Sequence, residues 1–152
     1  MAVQMQNTKF VSITPPAAIV DNAAYTTTEI DTLGFDYCTV VLYLGATDIA
    51  MAACKITESD VTASGHADVT GLDTDGDTNI DGDAATLPTA TDDNKFCLFE
   101  IDLRGRKRFL DLSISAGNGT AGTYAAAFAI LSRAKDTPVT IAERGAFEIL
   151  RV

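Results

Sequence analysis

The side chains best suited to chemistry in this 152-residue chain are the oxygen-bearing groups of one short acidic stretch. They stand at every second position: Asp73, Asp75, Asp77, Asn79, Asp81 and Asp83. Calcium takes about six to eight oxygen ligands, and this spacing in a tight loop can supply them. Residues 77–82 match the first half of the EF-hand pattern, but Pro88 stands where that pattern requires a glutamate. The stretch is therefore a candidate calcium site, and its alternative is a solvated acidic loop.

A basic cluster is the second candidate site. Four of the eleven basic residues lie within five positions, at Arg104, Arg106, Lys107 and Arg108. Such a cluster can contact an acidic partner surface, for example the acidic loop of a neighbouring copy. It can equally be a solvated turn whose arginines protect a sheet edge.

Residue patterns typical of catalysis are missing from the sequence. Cys38, Cys54 and Cys97 each lie in an apolar stretch, so we expect buried, reduced thiols that react slowly. His66 is the only histidine and has no sequence link to a cysteine. Residues 117–119 read as a glycine-rich turn, because no helix start follows them as it does in a nucleotide-binding loop. We therefore expect a protein that is not an enzyme and that has no cofactor apart from the candidate calcium ion.

The charge distribution narrows the classes of partner. The formal net charge is −10, and ten of the 21 acidic residues fall in residues 58–93, which contain no lysine or arginine. Phosphate binding depends on basic side chains, so nucleic acid and anionic membranes are not expected partners. The sequence has no apolar run of about 18 residues for a membrane span and no signal-peptide pattern at its start.

Hydrophobic alternation predicts an all-β fold. The strongest strand pattern runs from Phe35 to Leu44 and is apolar on both faces, which predicts a central strand covered on both sides. Residues 49–57 are predicted to return from it as a hairpin, and residues 96–103 and 108–115 predict a second hairpin around the basic turn. Other strands are predicted at residues 9–14, 25–30, 66–70 and 123–133. Six phenylalanines are predicted core anchors: Phe10, Phe35, Phe96, Phe99, Phe109 and Phe128.

These segments assemble into one predicted domain, a β-sandwich or jelly roll of about eight strands over residues 9–133. Residues 58–93 are a long acidic loop within it, residues 1–8 an N-terminal arm, and residues 134–152 an extended C-terminal tail. A helical turn is predicted between Thr137 and Gly145. The apolar residues near the end, Phe147, Ile149 and Leu150, are expected to dock on another surface.

Six stretches together resemble a known family: GFDY at 34–37, YLGATD at 43–48, KITESD at 55–60, IDLRGRKRFL at 101–110, LSRA at 131–134 and AERG at 142–145. Over roughly residues 10–145 the chain resembles small proteins encoded among the head genes of tailed bacteriophages, which decorate, or cement, the capsid. The resemblance implies a β-sandwich or jelly-roll protein on the outer surface of the virion, often a trimer, that clamps neighbouring subunits of the major capsid protein.

Two other functions stay open at this stage. One is a cation- or glycan-binding β-sandwich that uses the Asp-rich loop, and the other is a different virion component, such as a neck or tail protein. For the capsid function we expect a homo-oligomer, with a trimer favoured, whose contacts use strand edges and the two tails.

Overall fold

Eight strands form where apolar and polar residues alternate, in a computed structural model that describes residues 5–150. Residues 1–4 of the predicted arm and residues 151–152 of the predicted tail lie outside the described residues. The strands are β1 (Lys9–Thr14), β2 (Ile30–Asp31), β3 (Phe35–Thr47), β4 (Ala53–Ser59), β5 (Ala67–Asp73), β6 (Phe96–Asp102), β7 (Phe109–Ser115) and β8 (Thr123–Ala134). A short 3-10 helix covers Ala90–Asp92. Residues 5–150 contain no helix with the length and apolar character needed to cross a bilayer.

The strands form two antiparallel sheets that confirm the predicted sandwich. Sheet I has the order β1-β8-β3-β6, and sheet II has the order β2-β7-β4-β5. Within the described chain, β4 and β5 are the only consecutive strands that share a sheet, so every other connection crosses between the sheets. This strand order is that of an eight-stranded jelly roll.

One core lies between the sheets and is built from the inward side chains of both. In β7 the buried residues Leu110, Leu112 and Ile114 alternate with more exposed ones, as the period of a strand requires. β3 lies between β8 and β6, which confirms that it is central. Its second face is covered only in part, however, because Tyr43 on that face is exposed while Val41 is buried.

Neither predicted hairpin is present. β3 pairs with β6 and β8, whereas β4 pairs with β5 and β7, so the chain crosses between sheets after β3. β6 and β7 also lie in opposite sheets. Alternation identifies the inward side of each strand, but it does not tell whether two strands lie side by side or face to face. The facing arrangement encloses the apolar sides of both strands in one core.

Five of the six predicted phenylalanine anchors are not buried core residues. Phe99 is 5% exposed and belongs to the core, but Phe96 is 63% exposed and Phe128 is also at the surface. The other three, Phe10, Phe35 and Phe109, are partly buried. The inward positions of β8 are filled mainly by alanines instead, which leaves its aromatic side chains on the outer face.

The acidic segment 58–93 is more ordered than the predicted long loop. The strand predicted at 66–70 is confirmed as β5, which pairs with β4. Beyond β5, a bridge between Thr78 and Ala84 closes a turn, and the 3-10 helix precedes β6. Most of the strand predicted at 25–30 is irregular chain, and only its last residue, Ile30, belongs to β2.

The C-terminal segment is anchored along the free edge of β1. Residues 140–145 make the predicted helical turn, in which the Arg144 amide donates to the Thr140 carbonyl. The Phe10 amide donates to the Arg144 carbonyl at 2.9 Å, and the buried Arg144 guanidinium donates to the carbonyls of Thr8 and Met5. The predicted arm and tail therefore hold each other against sheet I. The predicted tail also loses its first residue, Ala134, to β8.

Gly145 is the residue at which this anchor is most sensitive. Its φ is +71°, and a Cβ there would lie 1.9 Å from the Phe10 carbonyl oxygen. We predict that Gly145→Ala loosens the segment from β1, so that the Phe10 amide exchanges with solvent faster while amides in β7 keep their protection. Hydrogen exchange followed by mass spectrometry or NMR measures this.

Gly34→Ala is the matched control. Gly34 has a φ of +88° but open space around the added methyl group, so this variant carries the backbone strain without the collision. Unchanged protection of Phe10 in Gly145→Ala would show that the segment is not held in this way.

Candidate functional site

The basic cluster lies on the turn between β6 and β7, and its arginines are paired within the chain. Arg104 binds Asp102 at 2.5 Å and Arg108 binds Asp31 at 2.7 Å, while Arg106 lies 3.6 Å from Glu58. The hydrogen bonds from Arg104 hold the pKa of Asp102 at about 2, well below its usual range.

These pairs account for much of the charge of the basic turn. Glu58 is the one residue of the acidic segment that an arginine of the turn reaches in the described chain. A neighbouring acidic surface would meet arginines that already have carboxylate partners, and exposed pairs of this kind contribute little energy on their own. The structure thus favours the turn as a satisfied connection, while contact with a neighbouring copy stays a prediction.

Of the six candidate calcium ligands, Asp73 ends β5 and the other five lie on the turn that follows, where Asp73, Asp77 and Asn79 accept hydrogen bonds from the backbone. Asp77 Oδ2 accepts the amides of Gly71 at 3.0 Å and Asp73 at 2.9 Å. Asn79 Oδ1 accepts the amides of Asp81 and Asp83. Such side-chain caps are a common use of Asp and Asn in turns.

The geometry does not gather these carboxylates around one point. Among residues 5–150 there is no group of three or more His, Cys, Asp or Glu side chains placed to hold a metal ion. The calcium site therefore stays a prediction, and the hydrogen bonds give the same residues a structural role.

A cleft lies between this turn and the free edge of β6. It encloses about 580 Å³ and is lined on one side by Leu72, Asp77 and Ile80 and on the other by Leu98 and Glu100. Carboxylates and apolar groups thus face each other across it. This combination can bind a ligand that has both hydroxyl groups and an apolar face.

Two of the thiols meet across the sandwich, which sequence reasoning missed. Cys54 on β4 is fully buried, and its thiol interacts with that of Cys97 on β6, which packs against the core and is partly exposed in the cleft. This interaction lowers the pKa of Cys97 and raises that of Cys54, which burial raises further. Burial raises the pKa of Cys38 to about 12. The expectation of three buried thiols is confirmed for Cys38 and Cys54 and is wrong for Cys97.

The single histidine fastens a loop. His66 Nε2 lies 2.7 Å from Glu29 Oε2, and Glu29 also accepts hydrogen bonds from Thr62 and Ala63. Partial burial acts to raise the pKa of Glu29, but these hydrogen bonds outweigh it and hold the pKa below its ordinary value. The contact ties the turn after β4 to the segment before β2.

Just after the glycine-rich turn at 117–119, a carboxylate of the chain occupies the position that a bound anion would take. Asp48 Oδ2 accepts the amides of Thr120 at 2.5 Å and Ala121 at 2.6 Å. These hydrogen bonds, that from Ala121 foremost, lower the pKa of Asp48. The backbone donors that a phosphate would need are thus already in use.

The most distinctive surface is the outer side of sheet I. Its β3, β6 and β8 strands present an aromatic and aliphatic set that we call the apolar face: Tyr43, Phe96, Leu98, Tyr124 and Phe128. The Tyr43 and Phe96 rings stack with centroids 4.7 Å apart. Gly45 lets Tyr124 lie close to β3, because a Cβ there would be 2.9 Å from the Tyr124 Cβ.

A second apolar surface is at the C-terminal end. Phe147 is 99% exposed and Leu150 is 89% exposed, immediately after the turn that Arg144 anchors. Ile149 is partly covered. Of the predicted apolar interface residues, Phe147 and Leu150 are thus free to meet a partner.

The fold and these surfaces define a two-sheet, all-β protein with the strand order of a jelly roll and two exposed apolar regions. Comparisons of the chain with protein-family models, with curated proteins and with solved structures found no match.

The thiol arrangement gives a prediction about reactivity. We expect Cys97 to react with a maleimide or iodoacetamide at least tenfold faster than Cys38 and Cys54, because it is the more exposed and the more acidic thiol. Peptide mass spectrometry over time gives the three rates. Cys97→Ser should remove the fast phase, and Cys38→Ser should leave it intact; equal rates at all three sites would contradict the prediction.

The Asp77 hydrogen bonds give a prediction that separates structure from metal binding. Asp77→Ala leaves two backbone amides without their acceptor, so we expect it to lower the free energy of unfolding by about 1–2 kcal/mol. The loss should be the same in EDTA and in millimolar Ca²⁺, as measured by thermal melts.

Asp75→Ala is the control, since the Asp75 carboxylate is exposed and accepts no hydrogen bond from the described residues. This variant should change the free energy of unfolding little. A calcium-dependent rise in the wild-type melting temperature that Asp77→Ala and Asp81→Ala both abolish would make the turn a metal site.

Proposed function

We propose that this chain is a structural protein of a tailed-phage virion that decorates the outer surface of the capsid and stabilises it by bridging capsid subunits. The partner is the major capsid protein, and assembly takes place in the host cytoplasm. The chain binds the capsid as a homo-oligomer, for which the family resemblance favours a trimer. Neither catalysis nor nucleic-acid binding is part of this function. The resemblance of residues 10–145 to small phage head proteins supplies the identity of the partner.

The observation that carries the proposal is the C-terminal end. Arg144 and the turn before it fix the segment on β1, and directly beyond that anchor Phe147 and Leu150 stand almost fully in solvent. Exposed apolar side chains on a fixed support are typical of a docking surface. The anchor also lowers the ordering cost of binding, because the backbone at the base of the segment is already placed.

The energy available at this end suits attachment in several copies. Burying a phenylalanine or leucine side chain contributes about 1.5–3 kcal/mol. One such end gives weak binding, but an oligomer that presents several ends gains effective concentration at each further contact. Bridging of neighbouring capsid subunits follows when the ends of one oligomer bind different subunits.

The jelly-roll strand order is compatible with this function and with one alternative. Jelly rolls occur among viral capsid domains and among lectins. The cleft beside β6 favours the second class, since its carboxylates Asp77 and Glu100 face apolar Leu98 and Ile80. A glycan- or cation-binding module is therefore the second candidate, and binding in the cleft would distinguish it from attachment through the C-terminal end.

Truncation of the C-terminal end tests the capsid function. We predict that wild-type protein co-sediments with shells assembled from the major capsid protein of the same phage, and that removal of residues 146–152 weakens this binding at least tenfold. The melting temperature of the isolated chain should fall by no more than about 2 °C, because the described residues removed lie beyond the Arg144 anchor.

Point variants provide the controls. Phe147→Ser with Leu150→Ser should reproduce the truncation, whereas Val139→Ser, at an exposed apolar residue before the anchor, should bind as the wild type does. Removal of residues 1–8 is not an equivalent test, since it takes away the carbonyls of Met5 and Thr8 that bind Arg144. Wild-type protein that stays in the supernatant at micromolar concentration would refute the capsid function.

A further inference from the structure

The apolar face of sheet I has a regular arrangement across three strands. In one row Val41 is paired with Phe128 on β8 and with Leu98 on β6, and in the next row Tyr43 is paired with Phe96. The two rows are adjacent on the same side of the sheet, because residues two apart in a strand share a face. The exposed aromatic groups are therefore contiguous and are not scattered over the surface.

This face is nearly free of charge in a strongly acidic chain. On the outward positions of β3, β6 and β8 in the described chain, Glu100 and Asp102 are charged, both toward the end of β6, and the guanidinium of Arg133 lies over the ring of Tyr37, which is paired with Asp102. Asp102 is neutralised by Arg104. Two molecules of net charge −10 repel each other least where such a face is turned toward the partner.

The outer side of sheet I, of which the apolar face is a part, is close in size to what a specific interface needs. Sheet I has four strands of six to thirteen residues. At about 4.8 Å between strands and about 3.3 Å per residue, the sheet covers roughly 20 Å by 30 Å, or roughly 600 Å² in its plane. Stable protein interfaces bury about 800 Å² on each partner, and the side-chain relief of a sheet adds to its plane area.

We propose that a second copy of this chain covers the apolar face of sheet I. An apolar, largely aromatic surface is complementary to another of its own kind, and two such sheets can pack face to face about 10 Å apart, as in a sandwich core. The face lies on a different strand set from the C-terminal end, so one surface joins copies while the other meets the capsid. Self-association through this face does not depend on the capsid function.

Substitution of Phe96 tests the inference on the full chain in the absence of shells. Sedimentation equilibrium and mass photometry from nanomolar to about 100 µM should show a concentration-dependent oligomer of the wild type. Phe96→Glu and Phe96→Lys should both raise its dissociation constant at least tenfold. Because these variants change net charge in opposite directions, a common effect reports the loss of apolar burial. Phe96 is already largely exposed in the single chain, so the variants should melt within a few degrees of the wild type.

Leu33→Glu is the matched control. Leu33 is 66% exposed, about as much as Phe96, but it lies on the turn before β3, so this variant should associate like the wild type. A dimer and a closed ring both support the inference if the Phe96 variants dissociate them. A wild type that stays monomeric at 100 µM, or Phe96 variants that associate normally, would overturn it. So would a monomer whose Phe96 variants lose only their binding to shells, since the face would then belong to the capsid contact.

Discussion

The packing of the two inner sheet faces is the constraint on which the rest of the molecule depends. Nearly every strand is followed by a strand in the other sheet, so no sheet can form from neighbouring segments alone. The inward residues of a strand pair such as β7 with β4 are buried only when β3 and β8 close over them. Stability and the shape of both candidate surfaces therefore come from one long-range contact, which is built from aliphatic side chains and alanines.

The two edges of sheet I have different neighbours, so the candidate functional surfaces lie in different places. At β1 the C-terminal segment covers part of the edge and uses the buried Arg144 to bind backbone carbonyls. At β6 the edge faces the cleft and the acidic turn. Between these edges lies the apolar face. The anchored end can thus be altered by mutation independently of the other two surfaces, whereas the cleft and the apolar face share Leu98.

Several charged side chains in this protein stabilise the fold by binding backbone amides or by joining distant segments. Asp48 and Asp77 accept pairs of amides from irregular chain, and Arg108 joins the turn after β6 to the end of β2. A stretch with the spacing of a calcium loop can satisfy its own turns in this way. Spacing alone does not distinguish the two uses, because both require oxygen atoms close to a bent backbone.

The amino-acid sequence alone predicts the all-β class, the positions of the long strands and the concentration of negative charge, since alternation and composition are local properties. It did not determine which strands pair, and both expected hairpins were wrong because alternation marks an inward side without naming the sheet. It also misplaced the aromatics: in the alanine-rich β8, burial of the alanines turns Phe128 outward. The meeting of Cys54 with Cys97 and the contiguity of Tyr43 with Phe96 arise from residues distant in the chain. No local pattern encodes these contacts, because they depend on strand register and on the packing of one sheet over the other.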